Sequence, residues 1–334
     1  MDREQEEMQF LGPFGIYTEA YQIILSWRKI LTQITLALIL PLSFILLAHI
    51  KVSELLTSRI THNQTELQQA QAGTQTYDNI SNNISSEWTA FWLFELAYTF
   101  FFLIFSLTST SAVVYTVACI YTSREVTFEV VMSVVPKVWK RLMITFLSTF
   151  LSFFAYTLVS AIIAILIIRG MTIGSSGIRL LIVLILFIIY GLGLLYMTIV
   201  WQLASAVSVL EDSYGFKAMV KSKNLIKGKM WVAIVIFFVS SFSSFVIYTL
   251  FEKFVVHGES LILVYKVGFG MLCLSFQSML FLFGLIIQTI IYFVCKSYHH
   301  ENIDKSDLSD HLEVYLGEYV PLKETDVQLG QFHV

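Results

Sequence analysis

The sequence is poor in charged residues. Only 13% of its 334 residues are Asp, Glu, Lys or Arg, whereas soluble globular proteins carry about 25%. Apolar residues make up 56% of the chain, so hydrophobic side chains take the place of the missing charges. This composition excludes an ordinary soluble domain. The net charge of −3 gives no basic footprint for nucleic acid, and no nucleic-acid partner is expected.

Cysteine is also scarce. Cys119, Cys273 and Cys295 all lie within or at the edge of apolar stretches, so no disulfide framework is expected outside the membrane. Cys295 precedes Lys296, which suits S-palmitoylation, although a buried structural cysteine is the simpler interpretation.

Catalytic patterns are missing as well. The sequence contains no glycine-rich phosphate loop, nucleophile elbow or metalloprotease helix motif, and His299-His300 has no companion ligands at metal-site spacing. We therefore expect no catalytic residues, no cofactor and no metal site, and we predict that the protein is not an enzyme.

The chain has instead six long apolar stretches, at about 30–50, 88–122, 142–168, 180–210, 230–251 and 267–295. Each meets the roughly 20 residues that a helix needs to cross a hydrocarbon core about 30 Å thick. The leader before the first stretch is acidic, unlike the basic start of a signal peptide, so this stretch is expected to stay as an anchor. These features predict an all-α, polytopic membrane bundle of six transmembrane helices.

Three N-glycosylation sequons, at Asn63, Asn79 and Asn83, lie between the first two stretches. Twelve Lys and Arg residues flank the stretches on the opposite side, against six on the sequon side. The positive-inside rule then places both termini in the cytosol and the sequons outside it. The predicted location is the endoplasmic reticulum, Golgi or plasma membrane.

A segment of about 15 residues with one apolar helical face precedes the first, third and fifth stretches. Its three copies run from Ile16 to Lys29, from Phe128 to Arg141 and from Phe216 to Lys229. We expect each to lie in the cytosolic headgroup layer before the chain enters the bilayer. The pattern predicts three hairpin repeats, each preceded by a cytosolic interfacial helix.

These features divide the chain into three parts. Residues 1–29 form a cytosolic N-terminus with the first interfacial helix, residues 30–296 form the transmembrane domain, and residues 297–334 form an acidic cytosolic tail. Within the transmembrane domain, residues 51–87 are expected to form an extracytosolic glycosylated loop, and residues 123–141 and 211–229 to form the other interfacial segments.

The third interfacial copy is rich in lysine, so charge could hold it at the membrane surface. Anionic lipids in the cytosolic leaflet attract such residues by about 1 kcal/mol each, so the bilayer, and its anionic lipids in particular, is the predicted partner. The predicted membrane-surface residues are Lys217, Lys221, Lys223, Lys227 and Lys229.

Glu95 is an ionisable residue well inside an apolar stretch, and such residues commonly mark a site. Thr99 follows it on the same helical face, and Gln277 and Gln288 share a face in the sixth stretch. These four residues are candidates for an intramembrane polar site. The alternative is structural: Glu95 hydrogen-bonds a neighbouring helix near the outer interface, and the glutamines and the hydroxyl-rich patches at 106–111 and 240–244 support helix packing.

The third interfacial segment carries a spaced motif, Glu-x3-Gly-x2-Ala-x3-Ser-x2-Leu-x2-Gly, made by Glu211, Gly215, Ala218, Ser222, Leu225 and Gly228. It resembles the cytosolic loop of the membrane domain that precedes some bacterial glycerophosphoryl diester phosphodiesterases. The whole chain, from Met1 through Leu11 onward, also resembles a plant family of uncharacterised six-helix, multi-pass membrane proteins. The soluble phosphodiesterase domain is absent, so the resemblance implies a fold and transfers no catalytic residue.

The sequence thus predicts a non-enzymatic, multi-pass membrane protein of the secretory pathway with an organising, trafficking or lipid-interacting role. The alternative is a transporter or channel for a small solute or lipid, with Glu95 and the glutamines lining the path. An intramembrane enzyme would need clustered His, Asp or Glu within the spans, which one carboxylate does not supply.

Overall fold

The computed structural model describes residues 8–70, 74–124, 126–170, 176–258 and 262–299. These ranges contain eight helices and no strand. Six of the helices are long and apolar enough to cross a membrane. The prediction of an all-α fold with six helices able to span a membrane is confirmed.

The helices follow one another with short connections. A short helix, α1 (Pro13–Ser26), precedes the spanning helices α2 (Arg28–Gln69), α3 (Gln75–Tyr121), α4 (Phe128–Gly170) and α5 (Ser176–Leu210). A second short helix, α6 (Phe216–Leu225), leads into α7 (Met230–Val256) and α8 (Leu263–Tyr298). One π-helical turn, Thr35–Ile39, lies just before Pro41 in α2, and another, Glu252–Val256, closes α7.

Spanning helices that are consecutive in the chain pack together: α2 on α3, α3 on α4, α4 on α5, and α7 on α8. Helix α8 also contacts α1, α2, α3 and α5, and is therefore the central element. We call the end of the bundle that holds α1, α6 and the C-terminal end of α8 the basic end. The opposite end, which holds the connection between α2 and α3, is the sequon end.

Burial is concentrated at the basic end. Every residue from Ser111 to Tyr121 of α3 is buried, and so is every residue from Ile286 to Cys295 of α8. A helix that is buried on all its faces is surrounded by protein, so these two segments form the centre of the core. Tyr121 and Phe293 stack between them with ring centroids 4.5 Å apart.

The outer halves of α4 and α5 contrast with this core. The most apolar window of each helix contains no buried residue, so these faces are free for lipid. The two helices contact each other through Tyr156, which stacks on Tyr190 and donates a hydrogen bond to the Tyr190 carbonyl at 3.2 Å. Gly193 leaves the room that the Tyr156 ring occupies.

Helix α1 packs on the bundle with the face that was expected to lie on lipid. Ile16, Ala20 and Ile23 are buried in the core, because α8 and α7 cover them. The opposite face is also apolar, and Phe14 and Tyr21 are 88% and 58% exposed there. Helix α1 is therefore apolar on both sides.

The second predicted interfacial segment is not a separate helix. Residues 128–141 form the first turns of α4, which continues unbroken past Pro136. Val131, Val134 and Val138 are buried within the protein core. This corrects the expectation of an interfacial helix at 123–141, because protein rather than the headgroup layer covers its apolar face.

The predicted extracytosolic loop, residues 51–87, is largely helical. Helix α2 continues to Gln69 and α3 begins at Gln75. The segment from 51 to 69 contains neither Pro nor Gly, so nothing in it ends a helix. At the start of α3 the Thr74 side chain accepts a hydrogen bond from the Tyr77 amide at 3.3 Å and so caps the helix.

Candidate functional site

The basic end carries a cluster of charges around Glu211, which directly follows α5. Its Oε1 atom accepts a 2.6 Å hydrogen bond from the Tyr292 hydroxyl and lies 3.4 Å from Lys296 Nζ. Its Oε2 atom lies 2.6 Å from Lys221 Nζ. The Glu211 side chain is 12% exposed. One carboxylate therefore connects the end of α5 to α6 and to α8.

The environment of Glu211 favours its ionised form. Burial by itself would raise the pKa of this carboxyl. The hydrogen bonds from Lys221 and Tyr292 and the charges of Lys296 and Lys221 outweigh burial, so the pKa of Glu211 lies below its ordinary value of 4.5. Glu211 is thus ionised at neutral pH and fully engaged by its partners.

The turn between α5 and α6 is held against α4. Gly215 adopts φ +64, a left-handed conformation that favours glycine. Its amide donates a 2.8 Å hydrogen bond to Thr145 Oγ1, which lies 2.7 Å from Ser208 Oγ. Asp212 pairs with Arg141 at 2.9 Å. The turn is thereby fixed to both α4 and α5.

The rest of the Glu211 motif packs α6 onto the bundle. Ala218 and Ser222 are fully buried and Leu225 is almost so. Gly228 has φ +89, and a Cβ there would collide with the Tyr298 ring. His299 Nε2 lies 3.0 Å from the Leu225 carbonyl, which ties the end of α8 to the end of α6. The motif therefore forms a structural junction.

An open groove of about 730 Å³ runs along the outer face of α6. Lys217, Lys221 and Lys227 line it together with Asn224, and Phe216 and Val220 add exposed apolar surface. Lys223 is exposed outside the groove lining, and Lys229 lies over the Tyr298 ring at 5.4 Å. The five predicted basic residues thus all lie on or beside α6, although Lys221 also pairs with Glu211.

Glu95 lies towards the sequon end and contacts α2. Its Oε1 atom is 2.8 Å from His49 Nε2, and the two side chains are 26% and 24% exposed. The His49 ring stacks on Tyr98 with centroids 3.9 Å apart. Glu95 thus makes the interhelical contact of the structural alternative. Thr99 is exposed on the outside of the bundle.

The two glutamines of α8 occupy different places. Gln277 is fully buried, and neither of its amide atoms has a hydrogen-bond partner among the described residues. Gln288 is also buried, and its Nε2 donates a 2.6 Å hydrogen bond to the Gln202 carbonyl. Gln288 lines an intramembrane cavity, whereas Glu95, Thr99 and Gln277 do not line it. The four candidate residues are therefore not brought together.

That cavity has a volume of about 620 Å³ and lies among α1, α2, α3, α5, α7 and α8. Its walls combine aromatic and aliphatic side chains with the hydroxyls of Ser106, Ser240, Ser241, Ser243 and Ser244. From the sequence, these hydroxyl-rich patches were expected to support helix packing. In the structure they border open volume.

The predicted sequons occupy helices at the sequon end. Asn63 lies in α2, and its Nδ2 donates a 2.8 Å hydrogen bond to Glu87 Oε2 of α3. Asn79 and Asn83 are exposed in the first turns of α3. The acidic tail predicted at 297–334 lies outside the described residues beyond His299, as do residues 1–7 of the N-terminal segment.

Three residues that contact Glu95 or Glu211 were not identified from the sequence: His49, Tyr292 and Lys296. His49 closes the first apolar stretch, and its distance from Glu95 along the chain hides the pairing. Tyr292 and Lys296 are four residues apart on α8, a spacing that places both on one helix face. Nothing in that spacing identifies Glu211 as their partner, which only the packing of α5 against α8 supplies. Within the described ranges, no three His, Cys, Asp or Glu residues form a metal-ligating group.

Comparison with known families covers nearly the whole chain. Residues 1–332 match the family described as Domain of unknown function (DUF8558). The chain belongs to this family. No curated protein and no solved structure matches it. The DUF8558 match includes α1, the Glu211 junction and all six spanning helices, so these features lie within the extent of one family.

Proposed function

We propose that this protein is a non-enzymatic, multi-pass membrane protein of the secretory pathway that binds anionic lipid headgroups at its cytosolic face. The observation that carries the proposal is the lysine-lined groove on α6 beside exposed apolar side chains. An organising or trafficking role would follow from this selective contact with lipid.

The groove offers two kinds of contact. Lysine ammonium groups and the Asn224 amide are donors for phosphate oxygens. Phe216 and Val220 are 54% and 60% exposed and suit contact with the upper part of acyl chains. Because Lys221 is already paired with Glu211, Lys217 and Lys227 supply the charge within the groove, and Lys223 adds charge on the exposed surface beside it.

The proposal includes an orientation. The basic end faces the cytosol and the sequon end faces the lumen, as the distribution of Lys and Arg favours. Both termini are then cytosolic, which agrees with the packing of α1 against α8. We infer three hairpins, formed by α2 with α3, α4 with α5 and α7 with α8, with α1 and α6 as interfacial helices; the packing of α3 on α4 then joins the first two hairpins.

Full-length protein in detergent provides the test. Native mass spectrometry compares the binding of phosphatidylserine with that of phosphatidylcholine of identical acyl chains. We expect wild type to prefer phosphatidylserine, and the Lys217→Gln/Lys223→Gln/Lys227→Gln variant to lose about fivefold in affinity per lysine. Phosphatidylcholine binding should not change.

The matched control is Lys253→Gln/Lys266→Gln, which removes two lysines from the sequon end. This control should retain the phosphatidylserine preference of wild type. Equal binding of the two lipids by wild type, or equal losses in the two variants, would refute the proposal.

The transporter or channel alternative has one supporting feature, the cavity that Gln288 lines. The version in which Glu95 and Gln277 line a path has no support from the geometry, because neither residue borders that cavity. Proteoliposome flux of small solutes through wild type, absent in a Gln288→Leu variant, would favour this alternative.

A further inference from the structure

The cavity of about 620 Å³ lies at membrane depth. Small-molecule sites in proteins usually have volumes of about 300–1,000 Å³. Its lining residues on α7 run from Ile236 to Tyr248, in the middle of a spanning helix that extends from Met230 to Val256. A ligand in this cavity would therefore be surrounded by the bilayer.

The polar groups of the lining carry no charge. Serine hydroxyls and two amides supply hydrogen-bond donors and acceptors, and none of the described lining residues is Asp, Glu, Lys, Arg or His. A charged headgroup at this depth would have no counter-charge and would be disfavoured. The polar residues concerned include Ser106, Gln202, Ser240, Ser243, Ser244 and Gln288.

One side chain at the cavity keeps a free acceptor. Gln288 is 5% exposed and uses its Nε2 on the Gln202 carbonyl, while its Oε1 accepts no hydrogen bond within the described part of the chain. Polar groups inside a protein are normally hydrogen-bonded, so this amide oxygen favours a bound molecule with a hydroxyl donor.

The cavity opens towards the hydrocarbon. Val239 of α7 borders it and is 45% exposed on the outside of the bundle, and Ser241 is exposed beside it. Phe102, Phe237 and Phe281 form apolar walls. A ligand that enters here comes from the bilayer and carries an apolar body.

We propose that this cavity binds an uncharged, hydroxyl-bearing lipid, of which diacylglycerol is the representative. The lipid hydroxyl donates to Gln288 Oε1 and exchanges hydrogen bonds with the serines of α7, and one acyl chain lies along the phenylalanine wall. The site is separate from the α6 groove, which takes charged headgroups at the protein surface.

Two photoreactive probes test the proposal on full-length protein in detergent with mixed lipid. One is a diazirine-bearing diacylglycerol, and the other is a phosphatidylserine with the same diazirine-bearing acyl chain. We expect the diacylglycerol probe to label peptides of α7 and α8 that border the cavity. Replacing the Gln288 acceptor with leucine should weaken this labelling about threefold to tenfold.

Gly284→Leu fills the cavity from α8. A Cβ at Gly284 would meet no atom closer than Ser240 Oγ at 3.9 Å, so the backbone tolerates the change. This variant should abolish cavity labelling by diacylglycerol. Gly268→Leu, an identical change on the same helix with nothing within 4 Å, is the control and should label as wild type.

Thermal unfolding of each variant separates loss of binding from loss of fold. If the Gly284→Leu variant unfolds at a lower temperature than wild type, the labelling of the Gln288→Leu variant tests the proposal instead. Equal labelling of the cavity peptides by both probes would overturn the proposal, as would undiminished diacylglycerol labelling in a folded Gly284→Leu protein. Absence of labelling in wild type would mean that the cavity holds water only, and would also overturn it.

Discussion

At the scale of single residues, Glu211 shows how one carboxylate fastens three helices. Its two oxygens contact a lysine of α6 and a tyrosine and a lysine of α8. Hydrogen bonds to charged groups contribute more than neutral ones, about 1.5–3 kcal/mol each. The junction therefore depends on the ionised form of Glu211.

This dependence predicts a pH effect on stability. A carboxyl whose folded pKa is depressed contributes stability above its unfolded pKa, and this contribution is lost as pH falls through the folded value. We expect Glu211→Gln to lower the unfolding free energy by about 2 kcal/mol at pH 7. The difference from wild type should shrink as the pH falls below 4.5, the ordinary pKa of this group.

Unfolding in detergent followed by circular dichroism between pH 3.5 and 7 measures this difference. Asp212→Asn is the control. The Asp212 carboxylate is next to Glu211 in the chain but is 76% exposed, and it pairs with Arg141 at the surface. The Asp212 variant should change stability far less at every pH. A Glu211→Gln deficit that stays constant with pH would contradict the assignment.

The Glu95–His49 contact leads to a second prediction at this scale. Interhelical hydrogen bonds in membranes contribute about 0.6–2 kcal/mol. We expect Glu95→Ala and His49→Ala each to lower stability by about 1 kcal/mol, and the double variant to lose less than the sum. Thermal unfolding of the four proteins of this cycle measures the coupling. Strict additivity would show that the two side chains act independently.

At the scale of single residues, the sequence singled out residues whose type was unusual for their surroundings. A carboxylate in an apolar stretch identified Glu95, but its partner His49 lies at the end of another helix, and only tertiary packing brings the two together. The motif that begins at Glu211 was visible as spacing. Its resemblance to a bacterial membrane domain stays a prediction, while the structure gives its members packing roles.

At the scale of elements, the long hairpin of α2 and α3 places the sequons on helices. Asn79 and Asn83 are exposed, whereas Asn63 is half-buried and hydrogen-bonded to Glu87. We expect glycans at Asn79 and Asn83 and none at Asn63. Mass shifts on glycosidase treatment of Asn→Gln variants in cells measure site use.

The variants give distinct outcomes. Asn79→Gln and Asn83→Gln should each remove one glycan, and together they should abolish the shift. Asn63→Gln is the matched control and should leave the shift unchanged. A glycan lost in the Asn63 variant would contradict the packed position of this side chain. A protein with no glycan at any sequon would contradict the proposed orientation.

The helix boundaries explain which predicted interfacial segments became separate helices. Helix α6 is bounded by Gly215 and Gly228, whose positive φ values interrupt helical geometry. Between residues 128 and 141 the only interruption is Pro136, and α4 continues through it. An apolar face at helical spacing is common to these segments. This pattern therefore does not distinguish a separate surface helix from the first turns of a spanning helix.

At the scale of the whole molecule, apolar composition identified the spans but not their neighbours. The most apolar window of α4 contains no buried residue, whereas 67% of the corresponding window of α8 is buried. Lipid chains and apolar side chains are equally apolar, so composition does not show whether a helix face contacts lipid or protein. The central position of α8 and the cavity beside it emerge only from packing.

The stack of Tyr121 on Phe293 bears on the order in which the protein is made. The two rings come from helices α3 and α8, so α8 must emerge from the ribosome before the core at the basic end is complete. At about 5–20 residues per second, synthesis needs roughly 10–30 s to pass from one to the other. During that interval α3 can pack on α2, α4 and α5, but the side of it that α8 covers has no final partner. The growing chain must therefore be shielded by the insertion machinery or by chaperones until its last helix arrives.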